Sequence, residues 1–115
     1  MKQASAYVYF VQAGDELAVK IGITMELHQR LACIQTYHHQ EVRLLGVIDM
    51  RRVHGEGRGS RVDYLQLARD KERQIHSQFS ADHLRGEWFC LTPQLASFIA
   101  GACPVMQLDE ECADA

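Results

Sequence analysis

The chain has 115 residues, 47% of them hydrophobic and 23% charged, which fits one globular domain and excludes wholesale disorder. No apolar run approaches the roughly 18 residues of a membrane span, and the start, Met1–Phe10, lacks the apolar core and small-residue cleavage site of a signal peptide, so a cytoplasmic protein without a membrane partner is expected. The formal net charge of −3 gives no whole-domain basic footprint, which counts against strong autonomous nucleic-acid binding.

Residues 6–12 (AYVYFVQ) are β-branched and aromatic, and predict a strand. Ala13–Glu16 is polar, contains Gly14 and reads as a hairpin turn. Leu17–Ile23 is then a second strand, paired antiparallel with the first. Thr24 offers an N-cap hydroxyl. Leu27, Leu31 and Ile34 follow at the spacing of one helix face, predicting a helix over 25–36. Tyr37–Gln40 is a connector. Val42–Met50 (VRLLGVIDM) reads as a third strand, buried on both faces. Arg51–Ser60, with three glycines among arginines, predicts a flexible loop. Ser60 and Asp63 have the spacing of a capping box, and Tyr64, Leu67, Ala68, Ile75 and Phe79 predict a helix over 61–79. Glu87–Leu91 (EWFCL) is a short strand. Thr92-Pro93 opens a last helix, with Leu95, Phe98 and Ile99 as its buried face. The domain then covers residues 1–103, and 104–115 form an acidic tail.

Cys33, Cys90, Cys103 and Cys112 include no CxxC pair and read as reduced thiols, with Cys33 and Cys90 as small core residues. His54, His76, His83 and the cysteines likewise lack the spacing of a closed transition-metal site. Charge is unevenly placed: Asp109, Glu110, Glu111 and Asp114 lie in the tail, while Arg51–Arg73 holds seven bases against four acids. A polyanion partner is permitted, not demanded.

Few residues carry chemistry on pattern alone. Tyr9 and Lys20 fall on paired strands and can share a face, where the ammonium would favour the phenolate. Arg30 lies off the apolar stripe of its helix. Glu72 and His76 are four apart and share a helix face. Each also has an ordinary structural role, as packing or as a solvated charge. Together a Tyr/Lys base, an Arg for the pentacovalent oxyanions and a Glu for a divalent metal are parts suited to phosphodiester hydrolysis.

The order YVY (7–9), KIGIT (20–24), Arg30, ERQIH (72–76) and GEWF (86–89) resembles the GIY-YIG nuclease superfamily, in particular its phage-type branch with a KIG second motif and a GEWF box. The resemblance covers residues 6–99. It implies an α+β fold, a small three-stranded antiparallel sheet flanked by helices, and one-metal cleavage of DNA. By the same resemblance Tyr9 helps deprotonate the attacking water, Lys20 stands where the second motif has Tyr, and Gly22 allows a close approach. Arg30 contacts the scissile phosphate, and Glu72 is the single carboxylate on one Mg²⁺ or Mn²⁺ ion. His76 supports the site. The group assisting Tyr9 is Lys20, His38 or His39. The superfamily often ends its site with an Asn, and this chain has none; Glu87 or Trp88 stands in that region. Trp88 and Phe89 can close the core after a turn at Gly86, while Glu87 can instead bond Arg30 or join the metal. Arg85 and the Gly/Arg loop, with Arg51, Arg52, Arg58 and Arg61, are the candidate DNA contacts.

Two function classes follow. One is a divalent-metal-dependent DNA endonuclease that borrows targeting from a protein partner or a homodimer. The other is a catalytically weak or inactive nucleic-acid- or protein-binding module on the same scaffold.

Overall fold

A computed structural model describes residues 4–55 and 61–103. Ser60, Arg58 and the acidic tail with Cys112 lie outside the described residues. Strand β1 (Tyr7–Ala13) pairs antiparallel with β2 (Ala18–Thr24). In the turn between them Gly14 adopts φ 57°, a conformation that glycine enters without steric cost. The register sets Tyr9 opposite Gly22 and Val11 opposite Lys20. Because strand side chains alternate, Tyr9, Val11, Lys20 and Gly22 share one face, and Val8, Phe10, Val19 and Ile21 share the other.

Strand β3 (Val42–Asp49) pairs with the free edge of β1, with a register irregularity at Phe10/Val11. Its burial is partial: Gly46–Ile48 are buried and Arg43 is exposed. β3 ends the sheet order β3-β1-β2-β5-β4, yet its apolar run is covered on both faces, as expected: Ile48 joins the cluster of Val8 and Phe10, and Val47 joins that of Tyr9 and Val11. The expected three-stranded sheet has five strands. Two short ones, β4 (His83–Arg85) and β5 (Trp88–Cys90), extend it beyond β2, joined by a turn in which Gly86 takes φ 54°. The α+β class stands.

Helix α1 (Leu27–Thr36) begins two residues later than its pattern predicts. Thr24 Oγ1 accepts a hydrogen bond from the Glu26 amide at 2.9 Å, and Glu26 takes the N-cap position without a side-chain cap. Leu27 and Ile34 bury against Tyr9, Val11 and Val47. The predicted loop after β3 starts instead as a short helix, α2 (Met50–His54), which places Arg51 and Arg52 on a helix. The Asp49 carboxylate accepts from the Arg51 amide at 3.1 Å, a cap that the arginine-rich composition concealed.

Helix α3 (Tyr64–Gln78) starts three residues later than predicted. Asp63 is its N-cap, accepting from the Gln66 amide at 3.0 Å, and not the fourth residue of a box begun by Ser60. Tyr64, Ala68 and Ile75 bury against Val8, Phe10, Val19, Ile21 and Phe89. Helix α4 (Pro93–Ala102) covers the same sheet face, with Leu95 and Ile99 inward. Its start is as the Thr-Pro pair predicts, with Thr92 Oγ1 accepting from the Leu95 amide at 3.1 Å. Thr92→Ala should therefore cost about 1 kcal/mol, read as a lower urea midpoint at unchanged m-value. Two cysteine expectations change. Cys33 is exposed and Cys90 half-buried, while Cys103 is the core thiol. No described helix is long and apolar enough to cross a membrane.

Candidate functional site

Tyr9, Lys20 and Gly22 come together because the β1–β2 register leaves them no other arrangement. Gly22 is the floor of the cleft. A Cβ there would lie 2.5 Å from the Tyr9 hydroxyl oxygen and 2.8 Å from Glu87 Oε1, so both polar groups rest on bare backbone. Arg30 reaches back from α1 and donates through Nη1 to the Tyr9 hydroxyl at 3.3 Å and to the Ile23 carbonyl at 3.4 Å. Lys20 Nζ pairs with Glu87 Oε1 at 3.2 Å. Glu87 thus engages Lys20 rather than Arg30.

Helix α3 lies on the opposite face, yet its polar pair reaches the outer edge of β2. β5 pairs with β2 only as far as Lys20, and His76 Nε2 lies 3.1 Å from the Ile21 carbonyl oxygen just beyond. Glu72 Oε2 lies 3.8 Å from the same imidazole nitrogen. That oxygen is buried without a hydrogen-bond partner, an arrangement that costs free energy unless something else satisfies it.

Electrostatics tie the two halves together. Burial raises the Tyr9 phenol above its ordinary pKa, the Glu87 carboxylate adds to the rise, and the Arg30 hydrogen bond opposes it. Lys20 adds no lowering of the kind expected; its ammonium pairs with Glu87. Burial also raises Glu72, with Glu87 adding and His76 and Lys20 opposing. The resting cleft therefore sets two cations, Lys20 and Arg30, against two carboxylates, Glu72 and Glu87, with one oxygen of Glu72 unpartnered.

The remaining predicted residues are not all in this cluster. His38 binds the Ile34 carbonyl through Nδ1 at 2.9 Å and lies against Trp88 with the ring planes tilted 58°. His39 is exposed. Tyr9 has Arg30 as its hydrogen-bond partner and neither histidine. Arg85 is exposed on β4, opposite Trp88 in register. Arg61 is exposed and Arg52 lies on the outside of α2. Trp88 and Phe89 separate: Phe89 is core, whereas Trp88 joins neither hydrophobic cluster. Neither that separation nor the grip of Glu87 on Lys20 has a sequence signal beyond the alternation of a three-residue strand.

Among the described residues no group of three or more His, Cys, Asp or Glu side chains is placed to hold a metal by itself. Residues 6–103 match the family model of the T5orf172 domain, a phage-derived domain found in homing-endonuclease-like proteins. No curated protein and no solved structure matches the chain.

Proposed function

The chain belongs to the T5orf172 domain family, and from that premise and the Gly22 cleft we propose that it is a divalent-metal-dependent DNA endonuclease of the GIY-YIG type. The observation that carries this reading is Glu72 Oε2, buried and unpartnered, with the Glu87 carboxylate near enough to disfavour its ionised form. An orphaned carboxylate oxygen next to a second carboxylate fits a hard cation. One or two protein oxygens with water and phosphate oxygens completing the shell suit a single Mg²⁺ or Mn²⁺. The bound ion would neutralise charge on the phosphate and acidify a water.

The protein's own groups take the other roles. Arg30 presents its guanidinium at the mouth of the cleft, where it binds the phosphate and stabilises the charge of the pentacovalent state. Tyr9, fixed by Arg30, orients the attacking water; it can take that water's proton only as the phenolate, after its own proton has passed to solvent, a loss that positive charge in the cleft would favour against burial and Glu87. Arg30 supplies part of that charge and a bound ion would add to it, while Glu87 holds Lys20 in place. His76, held at the Ile21 carbonyl, stands 3.8 Å from Glu72 Oε2 as a charge neighbour that favours the ionised carboxylate. Arg51, Arg52, Arg61 and Arg85 offer phosphate contacts outside the cleft.

The test is nicking of supercoiled plasmid by the purified protein in Mg²⁺ or Mn²⁺ against EDTA. Nicking that disappears on chelation is expected. No nicking with any divalent metal, together with DNA binding that weakens steeply with salt, would replace this reading with a binding module.

A further inference from the structure

Trp88, the chain's one tryptophan, is oddly placed. Its neighbour Phe89 is 1% exposed in the core, yet Trp88 is partly exposed and packs into neither hydrophobic cluster. Alternation on β5 explains the difference, since the two rings leave opposite faces of the sheet. In register, Trp88 lies between Lys20 on β2 and Arg85 on β4. A cation therefore flanks the indole on each side along the sheet. Lys20 Nζ is 5.7 Å from the indole centroid and also binds Glu87, so the ring is one side chain from the cleft. His38 adds its imidazole at 5.5 Å, anchored by its bond to Ile34. Tyr37, next to it, is 81% exposed.

Resting on the nuclease reading of the cleft, we propose that the Lys20–Trp88–Arg85 row with His38 seats an unpaired nucleobase of DNA beside the scissile phosphate. An aromatic surface flanked by cations binds single-stranded nucleic acid by stacking bases while the cations track the backbone. A base inside a duplex is already stacked on its neighbours, so only one that is unpaired or extruded can lie on Trp88. The substrate class is DNA with an unpaired nucleotide, as at a gap or an overhang, rather than intact duplex.

Trp88 reports on its own ligand. In EDTA, intrinsic fluorescence is followed while a short oligothymidylate, a gapped duplex, a fully paired hairpin and the matching RNA oligonucleotide are titrated in turn. The oligothymidylate and the gapped duplex should quench Trp88 and bind about tenfold tighter than the hairpin. His38→Ala, which keeps the reporter, should shrink that preference severalfold. Equal binding of paired and unpaired DNA, tighter binding of RNA, or binding without any change in Trp88 emission overturns the proposal. So does failure to bind any DNA. The plasmid assay separates the two readings. Metal-dependent nicking without a preference for unpaired DNA removes the platform alone, and the preference without nicking removes the nuclease alone.

Discussion

Glu72→Ala abolishes metal-dependent nicking, a loss on the order of a thousandfold if the ion supplies the several kcal/mol usual for charge stabilisation at a phosphate. The same variant, and Glu72→Gln, should keep or raise thermal stability. The reason is the unpartnered Oε2: burial and Glu87 both disfavour the ionised Glu72, so removing the charge relieves the apoprotein while it disarms the enzyme. The pH dependence has a definite sign. Because the folded-state pKa is raised, the contribution of Glu72 to stability is complete below the ordinary carboxylate pKa and fades as pH rises through the folded value. A divalent cation restores what is lost at the high end and competes with protons at the low end. Mg²⁺ should therefore raise the melting temperature more at pH 8 than at pH 5, and the difference should vanish in Glu72→Gln. Undiminished nicking by Glu72→Ala would remove Glu72 from the site.

Gly22→Ala should cost both activity and stability. The new methyl would lie 2.5 Å from the Tyr9 hydroxyl oxygen, 2.7 Å from its Cζ and 2.8 Å from Glu87 Oε1, closer than any of these atoms tolerates. Tyr9 is a fully buried ring with little room to retreat, so its hydroxyl and Arg30 move together. A displacement near 1 Å at a reacting group costs about a hundredfold in rate, and overpacking costs roughly 1–3 kcal/mol. Plasmid nicking and urea denaturation read the two effects. Gly55→Ala is the contrasting case, because Gly55, unlike Gly22, has positive φ and an added Cβ there meets nothing within 4 Å. Its stability should fall, and nicking should not.

The elements legible in the sequence are those fixed locally. The Tyr7–Thr24 hairpin announces itself through two apolar strands around Gly14, and α4 through Thr92-Pro93. In α1 the Leu27–Ile34 spacing marks the buried face but not the start, because Thr24 spends its hydroxyl on the Glu26 amide instead of capping the helix. β4 is three exposed residues with no alternation to mark it, and it exists only because β5 offers an edge. α2 depends on Asp49, which sits in an apolar run and looks like the end of a strand. The candidate site divides the same way. Tyr9, Lys20, Gly22 and Arg30 follow from hairpin register and the next helix. That Glu87 would take Lys20 depends on a turn brought to β2 from far along the chain, which no local pattern encodes.

The cleft also has an order of arrival. Its phosphate-binding side, Tyr9 to Arg30, lies in the first thirty residues, whereas Glu72, His76 and Glu87 come from the far end of the domain and reach β2 from its other face and its edge. A ribosome delivers these parts in that order. A nascent chain can form the hairpin well before it owns Glu72 and Glu87, and a chain interrupted before Glu87 never completes the cleft. On the nuclease reading proposed above, cleavage is thereby withheld from unfinished copies of the protein.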